Sequence, residues 1–128
     1  MKLILEIGNS STKLAVCNGF KISNINYLEN IDNSRFLVNL NNIIKNLVLK
    51  KPNINQIVIS YVNRKIMSKI KKNIINKFPN LKLNILKEKK YKNFKKKYEN
   101  IDSFGSDRFF NCLGARTLNN KTGSIVVD

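Results

Sequence analysis

At 128 residues the chain has room for one modest domain built around a single core, and is too short for two complete domains. Its 24 Lys and Arg against 8 Asp and Glu give a formal net charge of +16, a balance that attracts polyanions such as nucleic acid, anionic membrane or phosphorylated metabolites. Lys, Asn and Ile dominate the whole chain while Arg is scarce, so the charge is read as the imprint of AT-rich coding rather than as a selected nucleic-acid surface.

The first eleven residues, "MKLILEIGNSS", hold one Lys and a short apolar run broken by Glu6, which does not resemble a signal peptide. "KLILEI" (2–7) alternates as a half-buried strand does and stops at Gly8-Asn9-Ser10, a turn signal. "TKLAVC" (12–17) reads as a second strand, and the Asn18-Gly19 pair favours a tight hairpin into a third, "FKISNINYL" (20–28). Three antiparallel strands thus open the fold.

Asp32, Asn33 and Ser34 offer capping side chains ahead of "RFLVNLNNIIKNLVLKK" (35–51), where Phe36, Leu37, Leu40, Ile43, Ile44, Leu47 and Val48 recur at helical spacing until Pro52. "NQIVISYV" (55–62) is a short apolar strand. Ile66, Met67, Ile70, Ile74 and Phe78 mark an amphipathic helix that ends before Pro79, and "LKLNIL" (81–86) alternates as a further strand. The low-complexity run "KEKKYKNFKKKY" (87–98) reads as a basic loop, followed by a helix from about Ser106 and a final strand, "SIVVD" (124–128). No stretch approaches membrane-spanning length. Cys17 and Cys112 are too few for a disulfide framework and lack zinc-type spacing or any His, so both are expected to be buried thiols in a reducing cytoplasm. A three-strand meander continued by crossover helices onto parallel strands makes a mixed sheet with flanking helices, the ribonuclease-H-like α/β arrangement.

Three stretches carry chemistry. In "LEIGNSSTK" a strand, a Gly-containing turn and a second strand can cradle phosphate. Gly8 allows close backbone approach, Asn9, Ser10, Ser11 and Thr12 supply hydrogen bonds, Lys13 adds charge, and Glu6 can hold Mg²⁺ directly or through water. An ordinary β-turn with polar tips is the plainer reading. In "GSDR" (105–108), Asp107 sits at a helix start, where it serves either as a cap or as the base that takes a proton from a substrate hydroxyl as it attacks phosphorus. Arg108 offers a planar fork for a carboxylate or phosphate. "SIVVD" puts Asp128 at the carboxyl edge of a sheet, where α/β proteins place ligands and metals, unless the strand simply runs into a polar turn.

Together these stretches resemble the type III pantothenate kinases, also called Bvg accessory factor-like proteins, within the superfamily of actin, Hsp70 and acetate kinase. That family opens on Asp-x-Gly-Asn-Thr/Ser ending in a Lys, carries a Tyr ahead of Gly-x-Asp-Arg, and follows with Val-Val-Asp-x-Gly-Thr. The counterparts here are "EIGNSSTK", Tyr98, "GSDR" and "VVD". The departures are Glu6 in place of Asp, one methylene longer, and Asn100-Ile101 in place of Asn-Pro.

The resemblance implies that Glu6, Ile7, Gly8, Asn9, Ser10, Ser11, Thr12 and Lys13 line the phosphates of ATP with Mg²⁺. Tyr98, Gly105, Ser106, Asp107 and Arg108 would surround pantothenate, with Asp107 the general base and Arg108 near the carboxylate, and Asp128 would bind a monovalent cation, K⁺ or NH₄⁺. It further implies a cytoplasmic homodimer acting at the first step of coenzyme A biosynthesis. Residues 1–104 then form the first ribonuclease-H-like lobe and 105–128 the beginning of an incomplete second lobe, so that the chain alone is expected to be weakly active or inactive. Two other functions compete: a basic module that stacks single-stranded nucleic acid on Tyr91, Phe94 and Tyr98, and a non-catalytic remnant of the kinase lobe.

Overall fold

The computed structural model describes residues 1–30, 34–86 and 106–118 of the chain. Backbone clustering separates a compact unit, Met1–Leu86, from a second, Lys87–Asp128.

The first unit is a five-stranded mixed sheet. β1 (Lys2–Ile7), β2 (Ser11–Asn18) and β3 (Lys21–Glu29) form the expected antiparallel meander, while β4 (Gln56–Tyr61) and β5 (Lys82–Ile85) add in parallel on the other side of β1. The spatial order β3-β2-β1-β4-β5 makes β1 the central strand and gives the ribonuclease-H-like arrangement. Two helices make the crossovers: α1 (Ser34–Lys50) leads from β3 to β4, and α2 (Arg64–Lys77) from β4 to β5. Both sit on one face. Alternation along β1 directs Leu3, Leu5 and Ile7 to a single side, and these form one core cluster with Leu14, Val16, Ile57, Ile59, with Phe36, Leu40, Ile44 and Leu47 of α1, and with Ile70 and Ile74 of α2.

Local chemistry sets the helix ends. Asn63 caps α2, its side-chain oxygen accepting the Ile66 amide at 3.0 Å, and Pro52 and Pro79 follow the two helices within two residues of their last turns. Asn41 and Asn73 exchange reciprocal side-chain hydrogen bonds of 3.3 and 2.6 Å between α1 and α2, satisfying four polar groups at the helix contact.

β3 is broken in the middle. From Asn18 to Val16, β2 pairs with Lys21 to Ser23, but Leu14 pairs with Asn26, so Asn24 and Ile25 together stand opposite Ala15. Asn24 adopts φ +53°, a left-handed conformation that asparagine tolerates better than most residues, and the Asn26 side-chain nitrogen closes the bulge by donating to the Asn24 carbonyl at 2.8 Å.

In the second unit, α3 (Ser106–Leu118) begins where the sequence placed a helix. Phe109 is fully buried, and Phe110 meets it edge-on, with ring centroids 5.2 Å apart. The expected strand at 124–128 and the basic loop at 87–98 lie outside the described residues. Cys17 and Cys112 are free, as expected, but only half-buried: Cys17 occupies the face of the sheet opposite the core, where its thiol donates to the Gly19 carbonyl at 3.2 Å. Among the described residues, no helix is long and apolar enough to cross a membrane.

Candidate functional site

Four residues, Gly8 to Ser11, separate the last paired positions of β1 and β2, and the turn they make is held from three directions. Register comes first: Glu6 faces Lys13 and Ile7 faces Thr12 across the ladder, leaving Gly8 to Ser11 to reverse the chain. The Gly8 amide donates to the Ser11 carbonyl at 2.9 Å, and a β-carbon on residue 8 would stand 3.0 Å from that same oxygen. A side chain here would have to displace that oxygen by a few tenths of an ångström. On the far side, the Val62 amide donates to the Ile7 carbonyl at 2.9 Å and ties the end of β1 to the chain beyond β4.

The third tie is Asn30, just past β3. Its backbone amide donates to the Ser10 carbonyl at 2.8 Å, its side-chain nitrogen donates to the Gly8 carbonyl at 2.9 Å, and its side-chain oxygen accepts the Thr12 hydroxyl at 2.6 Å. Thr12 is fully buried and, among the described residues, is the polar one in the core, so this hydroxyl would be costly to leave unpaired. One asparagine thus satisfies two loop carbonyls and a core hydroxyl.

What remains is a tip aimed outward. Asn9 and Ser10 are exposed, Ser11 is half-buried, and the amides of Asn9 and Ser10 have no partner among the described residues. Two free N–H groups and three short polar side chains on one turn are the kinds of donor that suit an anion. On the face opposite the core, Lys13 Nζ stands 3.5 Å from Glu6 Oε2, with both side chains about half in solvent. An ion pair that exposed contributes under about 1 kcal/mol, and both groups can be drawn to a ligand at little cost. Ile7 and Thr12, by contrast, point into the core and hold the turn from beneath.

Glu6 is the carboxylate that β1 places next to the turn. Among the described residues, no three His, Cys, Asp or Glu side chains gather into a metal site. One carboxylate suits Mg²⁺, which protein sites hold through one or two carboxylates while substrate phosphates and water complete the shell.

The other expected site residues belong to the second unit. Ser106, Asp107 and Arg108 open α3, at the end of a helix where the dipole favours a carboxylate, and Arg108 is exposed. Tyr98, Gly105 and Asp128 lie outside the described residues. Asn30 is the residue that the sequence did not single out; the signal lay in strand register rather than in any motif.

The model of the family described as type III pantothenate kinase matches residues 2–128. Among solved structures, a provisionally assigned sugar kinase from Cytophaga hutchinsonii is similar at 18% identity and a TM-score of 0.46, over 66% of this chain and 35% of that one. A provisionally assigned N-acetylglucosamine kinase from Porphyromonas gingivalis is similar at 13% identity and a TM-score of 0.44, over 66% of this chain and 33% of that one. The chain spans about a third of the length of these structures. Comparison with curated proteins gives no match.

Proposed function

We propose, for a chain that belongs to the type III pantothenate kinase family, that its residues serve ATP-dependent phosphorylation of the primary hydroxyl of pantothenate. The observation that carries this reading is the Gly8–Ser11 turn: a backbone fixed by Asn30 and Thr12, with the unpartnered amides of Asn9 and Ser10 at its tip. Phosphoryl transfer asks little covalent chemistry of a protein and depends on positioning and charge stabilisation, which a hydrogen-bonded, donor-rich turn beside a half-exposed lysine can supply.

In this reading the β- and γ-phosphates of ATP lie on the turn, and Lys13 leaves Glu6 to meet them. Glu6 would hold Mg²⁺, which would offset phosphate charge when bound. Asp107, at the amino end of α3, accepts the proton of the attacking hydroxyl, and Arg108 pairs with the pantothenate carboxylate. Tyr98, Gly105 and Ser106 complete the substrate contacts, Asp128 binds K⁺ or NH₄⁺, and the assembly is a homodimer. Residues 1–104 serve as the nucleotide lobe, and 105–128 open the second.

Differential scanning fluorimetry and calorimetric titration with MgATP test the reading. Stabilisation and binding by MgATP, with weaker binding of MgAMP, are expected, since the turn grips the phosphates rather than the base. Transfer of label from γ-³²P-ATP to pantothenate, abolished by Asp107→Asn, tests the chemistry. A chain that ignores MgATP and pantothenate, yet retains single-stranded DNA in a salt-sensitive manner, overturns the kinase reading in favour of a nucleic-acid module.

A further inference from the structure

We propose that Asn30 is the positioning residue of the phosphate turn, and that the bulge at Asn24 is what delivers it there. The inference rests on the phosphate-binding reading above, and it adds a residue that belongs to no motif in the chain.

Register carries the argument. Next to the Asn18-Gly19 hairpin, β2 and β3 pair Asn18 with Lys21, Cys17 with Ile22 and Val16 with Ser23. Extended without a break, that pairing would set Tyr27 beside Thr12 and Glu29 beside Ser10. The extra residue at Asn24–Ile25 moves everything beyond it by one, so Leu28 stands beside Thr12 and Asn30 reaches Ser10. A one-residue change also exchanges the two faces of a strand. Leu28 therefore packs on the core while Tyr27 is 69% exposed, Ser10 meets Asn30, and Glu29 stands one position further along, beside Ser11.

The amide suits the task and a carboxylate would not. Asn30 must donate to the Gly8 carbonyl and accept from the Thr12 hydroxyl at once, and an amide has both kinds of atom where a carboxylate has acceptors alone. A negative charge at this point would also oppose any phosphate on the turn. With three anchors on Gly8, Ser10 and Thr12, Asn30 leaves the amides of Asn9 and Ser10 as the free donors.

The test uses the full chain and two readouts. Amide hydrogen exchange at residues 8–11 reports turn geometry without ligand, and calorimetry reports binding of MgATP and of inorganic tripolyphosphate. Asn30→Ala is expected to speed exchange of the Gly8 amide about tenfold and to weaken both ligands about tenfold, while the amides of β4 keep wild-type protection. Asn30→Asp is expected to weaken tripolyphosphate further still. Thr12→Val weakens binding, Thr12→Ser restores it, and Thr12→Val adds nothing on top of Asn30→Ala, since both remove one shared bond. Asn24→Gly, which keeps the left-handed backbone, is expected to bind as the wild type does, whereas Asn24→Val reproduces the loss.

If Asn30→Ala leaves both the Gly8 exchange rate and ligand affinity within about twofold of wild type, where additivity and error place an uncoupled site, the proposal is wrong. If the wild-type chain binds neither ligand, the phosphate reading fails, and the exchange arm alone decides whether Asn30 sets the shape of the turn.

Discussion

The meander contains two turns, each with a glycine, and the two glycines answer different constraints. Gly19, in the turn from β2 to β3, sits at φ +60° with nothing within 4 Å of where a β-carbon would stand, so it is there for conformation alone. Gly8, in the turn from β1 to β2, has no positive φ to serve; it is there because the Ser11 carbonyl lies 3.0 Å from the missing β-carbon. Their surroundings differ in the same sense. Beside Gly19 the ring of Phe20 is 88% exposed and the Cys17 thiol donates to the Gly19 carbonyl, whereas the Gly8 turn is clamped by Asn30, Thr12 and the backbone of Val62. One turn reverses the chain; the other also holds it to a shape, which is the condition for binding an anion through backbone amides.

The strand shared by both turns is the place to break them together. Leu14 is fully buried on β2 and belongs to the core cluster. Leu14→Ala is expected to cost about 2–5 kcal/mol, a range set by how far the surroundings collapse into the space left. Urea unfolding checks this, and equal losses of order at Gly8 and Gly19 by hydrogen exchange would show one cooperative sheet rather than two independent hairpins.

The glycines themselves separate the turns. Gly19→Ala forces a β-carbon into the left-handed region and should cost about 1–2 kcal/mol of stability with no change in MgATP affinity. Gly8→Ala crowds a backbone oxygen that is already engaged; it should cost about 1–3 kcal/mol and weaken MgATP by an order of magnitude, because the turn must shift by a few tenths of an ångström. Equal effects of the two changes on affinity would erase the distinction between a folding turn and a binding turn.

Much of this was legible in the sequence. The alternation of "KLILEI", the Asn18-Gly19 pair and the helical spacing of Phe36, Leu40, Ile44 and Leu47 each report a local preference, and local preference placed the meander, both crossover helices and the helix from Ser106 within a residue or two. The turn at Gly8 was visible for the same reason. Asn30 was not, because its place depends on a left-handed residue six positions earlier, inside a stretch whose β-pattern gives no sign of a break. The thiol of Cys17 was misplaced for a related cause: strand alternation fixes which side a residue takes, but not which side the helices cover.

The smallest expected effect lies at the edge of the binding turn, in the pair Glu6 and Lys13. At 3.5 Å and with side chains 39% and 47% exposed, the pair should stabilise the fold by under about 1 kcal/mol, and Glu6→Gln should be nearly silent in unfolding at high salt. Ligand binding is where the change becomes informative, because two consequences have opposite signs. Losing the carboxylate frees Lys13 and removes a negative charge near the turn, so metal-free tripolyphosphate should bind about two- to threefold more tightly, the equivalent of one exposed ion pair. The same loss removes the group assigned to Mg²⁺, so the gain in affinity that Mg²⁺ brings to the wild type should shrink in the variant. Calorimetry with and without Mg²⁺ measures both. An unchanged Mg²⁺ dependence would strip Glu6 of its metal role and leave it as the partner that keeps Lys13 at rest beside an empty turn, a role that its extra methylene relative to aspartate suits by extending the carboxylate along the sheet toward the lysine.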